Sequence, residues 1–307
     1  MKKKKIRLIS IALTVLLIPV FFMVKHYNIQ PSPIYKEPDV KLYRSECKKV
    51  TVLPMEDYIT GTVAAEMPAS FNSEALKAQA VCARTYAFRK LLEHKPYPEQ
   101  ADLSDDINSC QAFISEEEFY QRQGSRALYQ KVQKAVKATR GEIMLYQGEP
   151  IDALYHSTCG GKTESAAYLW GKDVPYLRSV KCRYCSQSRH YTSVQVFSIQ
   201  ELNRSLDTTG SSPTFKITDN TPSGRIKKVL INGEELSGEK LRQLLRLPST
   251  WCGFKVNASR VEIHSRGYGH GLGLCQYGAN GMAEEGKDYH QILKKYYHGV
   301  EFDILNY

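Results

Sequence analysis

The chain has 307 residues, enough for one large domain or two small ones, and a formal net charge of +10. Six basic and no acidic residues fall within residues 1–25, which leaves +4 for the remainder. So small a charge is no basis for a nucleic-acid-binding function. A mildly basic surface of this kind would suit binding to an anionic wall polymer, but it is equally consistent with ordinary surface lysines.

The N-terminus predicts a membrane anchor. Lys2–Lys5 and Arg7 precede the apolar run Leu8–Val24, which is near the short limit for a spanning helix. The following Lys25-His26-Tyr27 lacks the small residues that signal peptidase prefers. The sequence therefore favours a retained anchor over a cleaved signal peptide, with its basic end in the cytoplasm and the body outside.

The predicted division of the chain has three parts. Residues 1–25 are the cytoplasmic end and the anchor, residues 26–39 are a proline-containing tether, and residues 40–307 are the extracytoplasmic domain, with two subdomains an open alternative.

Within the first half of that domain the elements are short and mixed. In chain order they are a strand Asp39–Tyr43, a helix Glu56–Met67, a longer helix capped by Asn72 or Ser73, a helix Tyr129–Thr139, and strands Glu142–Tyr146 and Pro150–Tyr155. The polar stretch Lys95–Gln123 is either an ordered lid or a mobile loop.

The second half continues in the same way. Its predicted elements are a helix Ile199–Leu206 capped by Ser198, a strand Arg225–Ile231, a helix from Ser237 to Leu245, a strand Val261–His264 and a helix Tyr289–Tyr297 capped by Asp288. There is no repeat and no regular βαβ alternation. We therefore expect an α+β fold, with short strands and helices around a substrate groove.

Glu66 stands in an uncharged segment, VAAEMP, at the end of the first predicted helix. A carboxyl group removed from water has a raised pKa, which suits a general acid. The alternative is a surface residue near a helix end.

A glycine-rich segment, RGYGHGLGLCQYGANG, spans residues 266–281. It lacks the third glycine of a dinucleotide-binding turn and the lysine of a phosphate loop. Glycines let backbone approach a ligand closely, and His270, Gln276 and Tyr277 can hydrogen-bond sugar hydroxyl and acetamido groups. A tight structural loop is the alternative.

Four motifs, MEDYITGTVAAEMP, ALKAQAVCARTYA, STCGGKTESA and GYGHGLGLCQYGANGMAEEGK, closely resemble the stage II sporulation protein D (SpoIID) family. They occur in the family's order, and the likeness covers about residues 40–307. The resemblance implies a peptidoglycan lytic transglycosylase of endospore formers, which remodels septal wall during engulfment. It also implies two partners, the amidase stage II sporulation protein P and the membrane protein stage II sporulation protein M.

The resemblance places the catalytic glutamate in the EMP motif, here Glu66-Met67-Pro68. A lytic transglycosylase needs one carboxylate, because the substrate's own C6 hydroxyl is the nucleophile; most hydrolytic glycosidases need two. The candidate groove residues beside Glu66 are Arg84, Tyr155, His270, Gln276 and Tyr277.

The cysteines predict a zinc site. His156-x-x-Cys159 and Cys182-x-x-Cys185 offer four soft ligands, the number for tetrahedral zinc, with His190 as the substitute for His156. Some family members, the resemblance implies, carry zinc near the active site. Such a closed site would be structural. The alternative is a disulfide within this set, since the compartment is oxidising, with Cys82 and Cys275 as small buried residues.

Two other functions stay open at this point. In a zinc-dependent cell-wall hydrolase the metal would activate water and Glu66 would be the base. In a non-catalytic wall-binding scaffold for the amidase, Glu66 would be dispensable. The intact EMP motif favours the enzyme.

Overall fold

The structure is a computed structural model that describes residues 36–209 and 213–307. Glu37–Leu305 form a compact unit. Within the described ranges, no helix combines the length and the apolar character needed to cross a membrane. The predicted anchor, Leu8–Val24, lies outside them.

The α-helices of the described residues are α1 Met55–Glu66, α2 Ser73–Glu93, α3 Glu116–Gln123, α4 Arg126–Ala138, α5 Ala166–Trp170, α6 Ile199–Leu206, α7 Gly238–Leu245, α8 Gln276–Glu284 and α9 Tyr289–Tyr296.

The strands are β1 Asp39–Arg44, β2 Lys49–Pro54, β3 Leu103–Ser104, β4 Glu142–Tyr146, β5 Glu149–Pro150, β6 Tyr155–His156, β7 Thr192–Ser198, β8 Phe215–Asn220, β9 Ile226–Ile231, β10 Glu234–Ser237, β11 Cys252–Val256, β12 Arg260–Arg266, β13 Leu274–Cys275 and β14 Glu301–Ile304. This mixture of helices and short strands confirms the predicted α+β class.

The long helix α2 is the centre of the main core. Its alanine-rich sequence lets neighbouring backbones come close, and it packs against α1, α4, α8, α9 and β4. Asn72 caps it by accepting a hydrogen bond from the Glu74 N–H at 2.9 Å. Since the first N–H groups of a helix have no partner within it, this cap fixes where α2 begins.

Small sheets surround these helices. Their strand orders are β2-β1-β3, β14-β4-β5, β11-β12-β7 and β10-β9-β8, with β6 and β13 forming a two-stranded parallel pair. A second apolar cluster, which includes Leu202, Val229, Leu241 and Ile263, joins the sheets β11-β12-β7 and β10-β9-β8 to α6 and α7.

The pair β6–β13 determines the position of the site. Tyr155 lies opposite Leu274 and His156 opposite Cys275. Two motifs more than a hundred residues apart are thereby brought side by side, directly before α8.

The glycine-rich segment contains more regular structure than a loop. Its second half forms β13 and α8, with Gly278 and Gly281 inside the helix. A Cβ on Gly278 would lie 2.1 Å from the Tyr296 hydroxyl, and one on Gly281 would lie 2.4 Å from the Tyr184 carbonyl. These glycines are required by close packing, which outweighs their low helix propensity.

Candidate active site

A cleft of about 360 Å³ lies where the end of α1 meets the start of α8. Both helix ends and the loop before β7 contribute to it. Its lining residues are Ala64, Ala65, Glu66, Met67, Pro68, Ala69, Ser70, Gln123, Leu128, Ser157, Arg189, His190, Gln276 and Tyr277. Six of these residues are apolar and eight carry a polar or charged group, so the cleft can offer both apolar contact and hydrogen bonds to a ligand.

Glu66 is the last residue of α1, and its carboxyl group lies in this cleft. Burial raises the pKa of the Glu66 carboxyl, and the backbone N–H of Ala112, which donates to Oε1 at 2.6 Å, opposes that rise. The pKa remains above its usual value. Among the described residues that line the cleft, Glu66 is the only carboxylate.

The backbone around Ala112 belongs to the polar stretch Lys95–Gln123, which contains β3 and α3 and lies against α1. Gly61 makes the approach possible. A Cβ there would lie 2.3 Å from Cε2 of Phe113 and 2.6 Å from the carbonyl of Ile114. A glycine one turn and a half before Glu66 therefore lets this segment come close enough to hold the carboxyl group.

Tyr155, on β6, lies near the Glu66 carboxyl, and its hydroxyl, like the Ala112 N–H, lowers the pKa of that carboxyl and so opposes the effect of burial. The same hydroxyl lies 2.8 Å from Oε1 of Gln111, a buried residue next to Ala112. Burial raises the pKa of Tyr155 well above its usual value, so the phenol stays protonated. The structure thus places Tyr155, a predicted groove residue, near Glu66.

Gln276 and Tyr277 open α8 and line the cleft. Gln276 Nε2 donates to the backbone carbonyl of Glu66 at 3.0 Å, and so pairs a carbonyl at the end of α1 that has no partner within the helix. The Tyr277 ring packs edge-on against Phe71, with centroids 4.9 Å apart. Gln276 is thus a support for Glu66, and Tyr277 is a wall of the cleft.

Arg84 is not among the lining residues of this cleft. Its side chain is fully buried, and Nε and Nη2 each bond one carboxylate oxygen of Glu56 at 2.7 Å. Nη1 also donates to the carbonyl of Glu142 at 3.1 Å. The guanidinium is therefore saturated by internal partners, and the expectation of a groove residue is corrected to a structural ion pair.

His270 also lies outside the cleft. Its Nδ1 accepts from the Leu272 N–H at 3.1 Å, so Nε2 carries the proton and donates to the carbonyl of Tyr155 at 3.0 Å. Burial lowers the pKa of His270 to about 4, so the ring is neutral. It fixes β6 to the glycine-rich turn and is not a ligand-facing group of this cleft.

Four buried cysteines, Cys159, Cys182, Cys185 and Cys275, have their sulfur atoms within 4.8 Å of one another. The eight cysteines of the chain are free, and the Sγ atoms of Cys159 and Cys185 are 3.4 Å apart. Tetrahedral coordination at a Zn–S bond of about 2.3 Å sets sulfurs about 3.8 Å apart. The cluster therefore has the donor set and spacing to hold a metal ion.

The surroundings of the cluster also fit a metal–thiolate centre. The N–H groups of Cys159 and Gly278 donate to Cys275 Sγ at 3.2 and 3.3 Å. The Tyr296 hydroxyl lies 3.1 Å from Cys182 Sγ. Such donors stabilise negative charge on sulfur, as the outer shell of a metal site does.

The fourth residue of the cluster differs from the predicted ligand set. Cys275 completes the cluster, whereas Nδ1 of His156 lies 2.9 Å from the carbonyl of Leu272. His190 lies in the cleft, where its Nε2 accepts from Nε of Arg189 at 3.0 Å. Cys275 had been expected to be a buried residue without a ligand role.

Three parts of the site were not foreseen: Gln111 and Ala112 beside the acid, Arg189 in the cleft, and Cys275 in the cluster. The QAF triplet at residues 111–113 carries no charge or metal-ligand pattern, so its sequence offers no signal. For Cys275 the signal was its place between the motif glycines and Gln276, but only the β6–β13 pairing sets it beside Cys159.

Comparison with known proteins agrees with the motifs. The SpoIID family description, "Stage II sporulation protein", matches residues 43–146. The stage II sporulation protein D of Bacillus subtilis (strain 168) is 37% identical over 279 residues, which cover 89% of this chain and 80% of the relative. The chain belongs to the stage II sporulation protein D family. The Bacillus amyloliquefaciens protein of the same name shows the same identity over the same length.

Two further relatives carry other names. An uncharacterized protein of Brachyspira hyodysenteriae is 36% identical over 266 residues, covering 84% of this chain and 68% of the relative. The amidase enhancer of Bacillus subtilis is 28% identical over 301 residues, covering 79% of this chain and 40% of that protein. Membership of the family is thus compatible with a role at the cell wall.

Proposed function

We propose that this SpoIID-family protein is a peptidoglycan lytic transglycosylase. It would cleave the bond between N-acetylmuramic acid and N-acetylglucosamine in peptide-stripped glycan and leave 1,6-anhydro ends. The observation that carries the proposal is Glu66, a half-buried carboxyl with a raised pKa and the only acidic side chain among the described residues of the cleft.

The chemistry needs one group that first gives and then takes a proton. Protonated Glu66 donates to the glycosidic oxygen as the bond from C1 of the muramoyl residue to that oxygen breaks. The resulting carboxylate then accepts the proton of the C6 hydroxyl, whose oxygen bonds to C1 and closes the anhydro ring. Such acid–base help contributes about 10²–10⁴ in rate.

The positive charge that develops at C1 needs a nearby negative group. The Glu66 carboxylate supplies it after proton transfer, from a half-buried position where electrostatic interactions are stronger than in water. The Ala112 N–H keeps Oε1 in place through both protonation states. Gln276 and Tyr277 remain proposed sugar-contacting or supporting groups, with Tyr155 beside the acid.

Arg189 gives the cleft a preference for an anionic sugar. Among the described residues that line it, Arg189 is the only lysine or arginine. The lactyl group of N-acetylmuramic acid bears a free carboxylate only when no peptide is attached through an amide. A cation at this point therefore supports a peptide-stripped strand as the substrate.

We assign zinc to the four cysteines as a structural ion. Four thiolates fill a tetrahedral site and leave no open position, so the ion would cross-link the loops that hold Cys159 and Cys275. This arrangement disfavours the zinc-hydrolase reading. The support comes from the donor set and the N–H groups around it.

We propose the cellular setting from the resemblance to the family. A septal-wall enzyme used in engulfment would act outside the cytoplasm, held by the N-terminal anchor, with the amidase stage II sporulation protein P and the membrane protein stage II sporulation protein M as partners. The likeness to an amidase enhancer supports a wall-related partner.

The test uses the purified protein on peptide-free glycan strands, with the products read by mass spectrometry. Wild type should form 1,6-anhydromuramoyl ends, and Glu66→Gln should lose at least 100-fold of that rate. Glu46→Gln, at an exposed carboxylate, is the matched control and should keep it.

Other products would decide against the proposal. Reducing ends would indicate a hydrolase. A folded, metal-loaded wild type that binds glycan without cutting it would support a wall-binding scaffold.

A further inference from the structure

A second cavity, of about 700 Å³, lies at one end of the sheet β11-β12-β7. Its lining residues are Thr192, Ser193, Val194, Ile217, Asn220, Gly224, Trp251, Cys252, Gly253, His264, Ser265 and Arg266. Among the described residues that line it, none is acidic, and Arg266 is the only lysine or arginine. The cavity therefore suits a polar ligand that is neutral or negatively charged.

A short stretch of two paired segments connects this cavity to the cleft of Glu66. Thr192 and Arg266 pair at the end of the β7–β12 ladder, and both line the cavity. Two residues away along each segment, the rings of His190 and Tyr268 pack together with centroids 4.8 Å apart. His190 lines the cleft, so the Cα atoms of a cleft residue and a cavity residue are within about 7 Å of each other.

Tyr268 is an exposed ring on a fixed backbone. It is 48% exposed, and its backbone N–H and carbonyl both bond to Thr158, at 2.7 and 3.0 Å. A Cβ on Gly267 would lie 2.6 Å from the Thr158 carbonyl, and one on Gly269 would lie 2.8 Å from Cβ of His156. Close packing on both sides therefore holds this backbone. The ring can receive the C–H face of a sugar with little loss of chain entropy.

Arg266 is held in place in the same way. Its Nη2 donates to the Tyr191 hydroxyl at 2.7 Å, and its Nε donates to the carbonyl of Gly160. The guanidinium lies over the Trp251 ring, 4.7 Å from the centroid. Its Nη1 forms no hydrogen bond within the part of the chain that the structure describes. A positively charged donor is thus ready at the cavity wall.

Two hydroxyl groups in the cavity wall also lack partners. Ser193 and Ser265 are cross-strand partners in the β7–β12 ladder, and both line the cavity. Their Oγ atoms are buried, and neither is hydrogen-bonded to any of the described residues. Because a buried hydroxyl without a partner is costly, these groups point to a polar occupant of the cavity.

We propose that the glycan strand bound at Glu66 continues over Tyr268 into this cavity, so that long strands are the preferred substrate. Sugar C–H faces pack on the Tyr268 ring, and hydroxyl and acetamido groups pair with the two serine hydroxyls. A peptide-stripped strand bears a lactyl carboxylate on every second sugar, which complements Arg189 in the cleft and Arg266 in the cavity. This inference rests on the proposed function, because it extends the substrate of that cleft.

The test measures binding without cleavage. The chain has two tryptophans, so Trp170→Phe leaves Trp251, in the cavity, as the sole fluorescent tryptophan. The full chain carrying Glu66→Gln and Trp170→Phe is titrated with a peptide-free disaccharide, tetrasaccharide and octasaccharide of wall glycan. The octasaccharide should bind about 10-fold more tightly than the disaccharide. It should also shift the Trp251 emission, which the disaccharide should leave unchanged.

Variants of Tyr268 test the path between the cleft and the cavity. Tyr268→Ala should weaken octasaccharide binding about five-fold, with disaccharide binding unchanged because a short ligand fills the cleft alone. Tyr268→Phe keeps the ring and should retain the dependence on length. Tyr168→Ala is the matched control, since this tyrosine on α5 is 45% exposed and lines neither the cleft nor the cavity.

The outcomes are distinct. The same Kd for all three lengths, or an octasaccharide that leaves the Trp251 emission unchanged, would overturn the proposal. Equal losses in Tyr268→Ala and Tyr168→Ala would also overturn it. Failure of the proposed function would instead appear as no anhydro product from wild type, and the binding titration does not depend on that product.

Discussion

Arg84 provides a sharp test of how the fold supports the site, because its role differs from that expected. The fully buried guanidinium makes two 2.7 Å bonds to Glu56, whose side chain is itself only 11% exposed. Replacing Arg84 by Met keeps most of its length but leaves the Glu56 charge in a site with little water. The free energy of unfolding should fall.

The magnitude follows from burial. Removing one partner of a buried ion pair costs about 3–5 kcal/mol, because the remaining charge loses its counter-ion. Removing both charges costs less. The Arg84→Met/Glu56→Gln double variant keeps an oxygen for the Gly141 N–H, which lies 3.3 Å from Glu56 Oε1. It should therefore be more stable than Arg84→Met alone.

Urea denaturation at pH 7, followed by circular dichroism, measures these differences. The single variant Arg84→Met should unfold at lower urea with an unchanged slope, and the double variant should recover part of the loss. A loss of under about 1 kcal/mol in the free energy of unfolding of Arg84→Met, together with a raised KM for glycan, would refute the structural role. It would instead favour the predicted role of Arg84 as a groove residue.

Four further outcomes are expected. Gly61→Ala should lower activity about 10- to 100-fold, because a Cβ displaces the segment at Ala112. Cys275→Ser should reduce the bound zinc, measured by elemental analysis, and lower the thermal midpoint. Glu66→Gln should raise the thermal midpoint at pH 7, since a buried charge is removed, and should raise it much less near pH 4, where the carboxyl is mostly protonated in folded and unfolded chains alike. Arg189→Gln should raise KM on peptide-free strands about two- to five-fold.

Each of these has a contrary result. Gly253→Ala, where nothing lies within 4 Å, is the matched control for Gly61→Ala, and equal losses in both would remove the packing argument. Full zinc content in Cys275→Ser would exclude Cys275 as a ligand. A gain in stability from Glu66→Gln that is the same at pH 4 and pH 7 would contradict a raised pKa. An equal effect of Arg189→Gln on peptide-bearing strands would remove the lactyl carboxylate as its partner.

Local signals in the sequence located six of the nine helices of the described residues. Caps are short-range interactions, so Asn72, Ser198, Ser237 and Asp288 mark helix starts that the structure confirms. Glu66 was singled out from its apolar neighbours, and the structure places it half-buried in the cleft. These features depend on residues close together in the chain.

Features that depend on distant residues were not predictable in the same way. β7 shows the reason clearly: Val194 and Val196 point outward and are more than half exposed, while Ser193 and Gln195 face inward. This reverses the usual alternation of a half-buried strand, so the pattern gives no sign of it. Gln111 likewise accepts a hydrogen bond from Tyr155, 44 residues further along the chain, which no local pattern predicts.

The adjacent residues Cys275 and Gln276 connect the cysteine cluster to Glu66. Cys275 caps α8 and contributes its sulfur to the cluster, and the next side chain bonds the carbonyl of Glu66. Asn280, one turn further along α8, accepts from the Asn72 N–H at 2.7 Å, just before α2. A shift of α8 would therefore disturb Glu66 through its backbone and the start of α2 together. The cluster stabilises the one helix end on which both depend, so a metal bound there would support catalysis without touching the substrate.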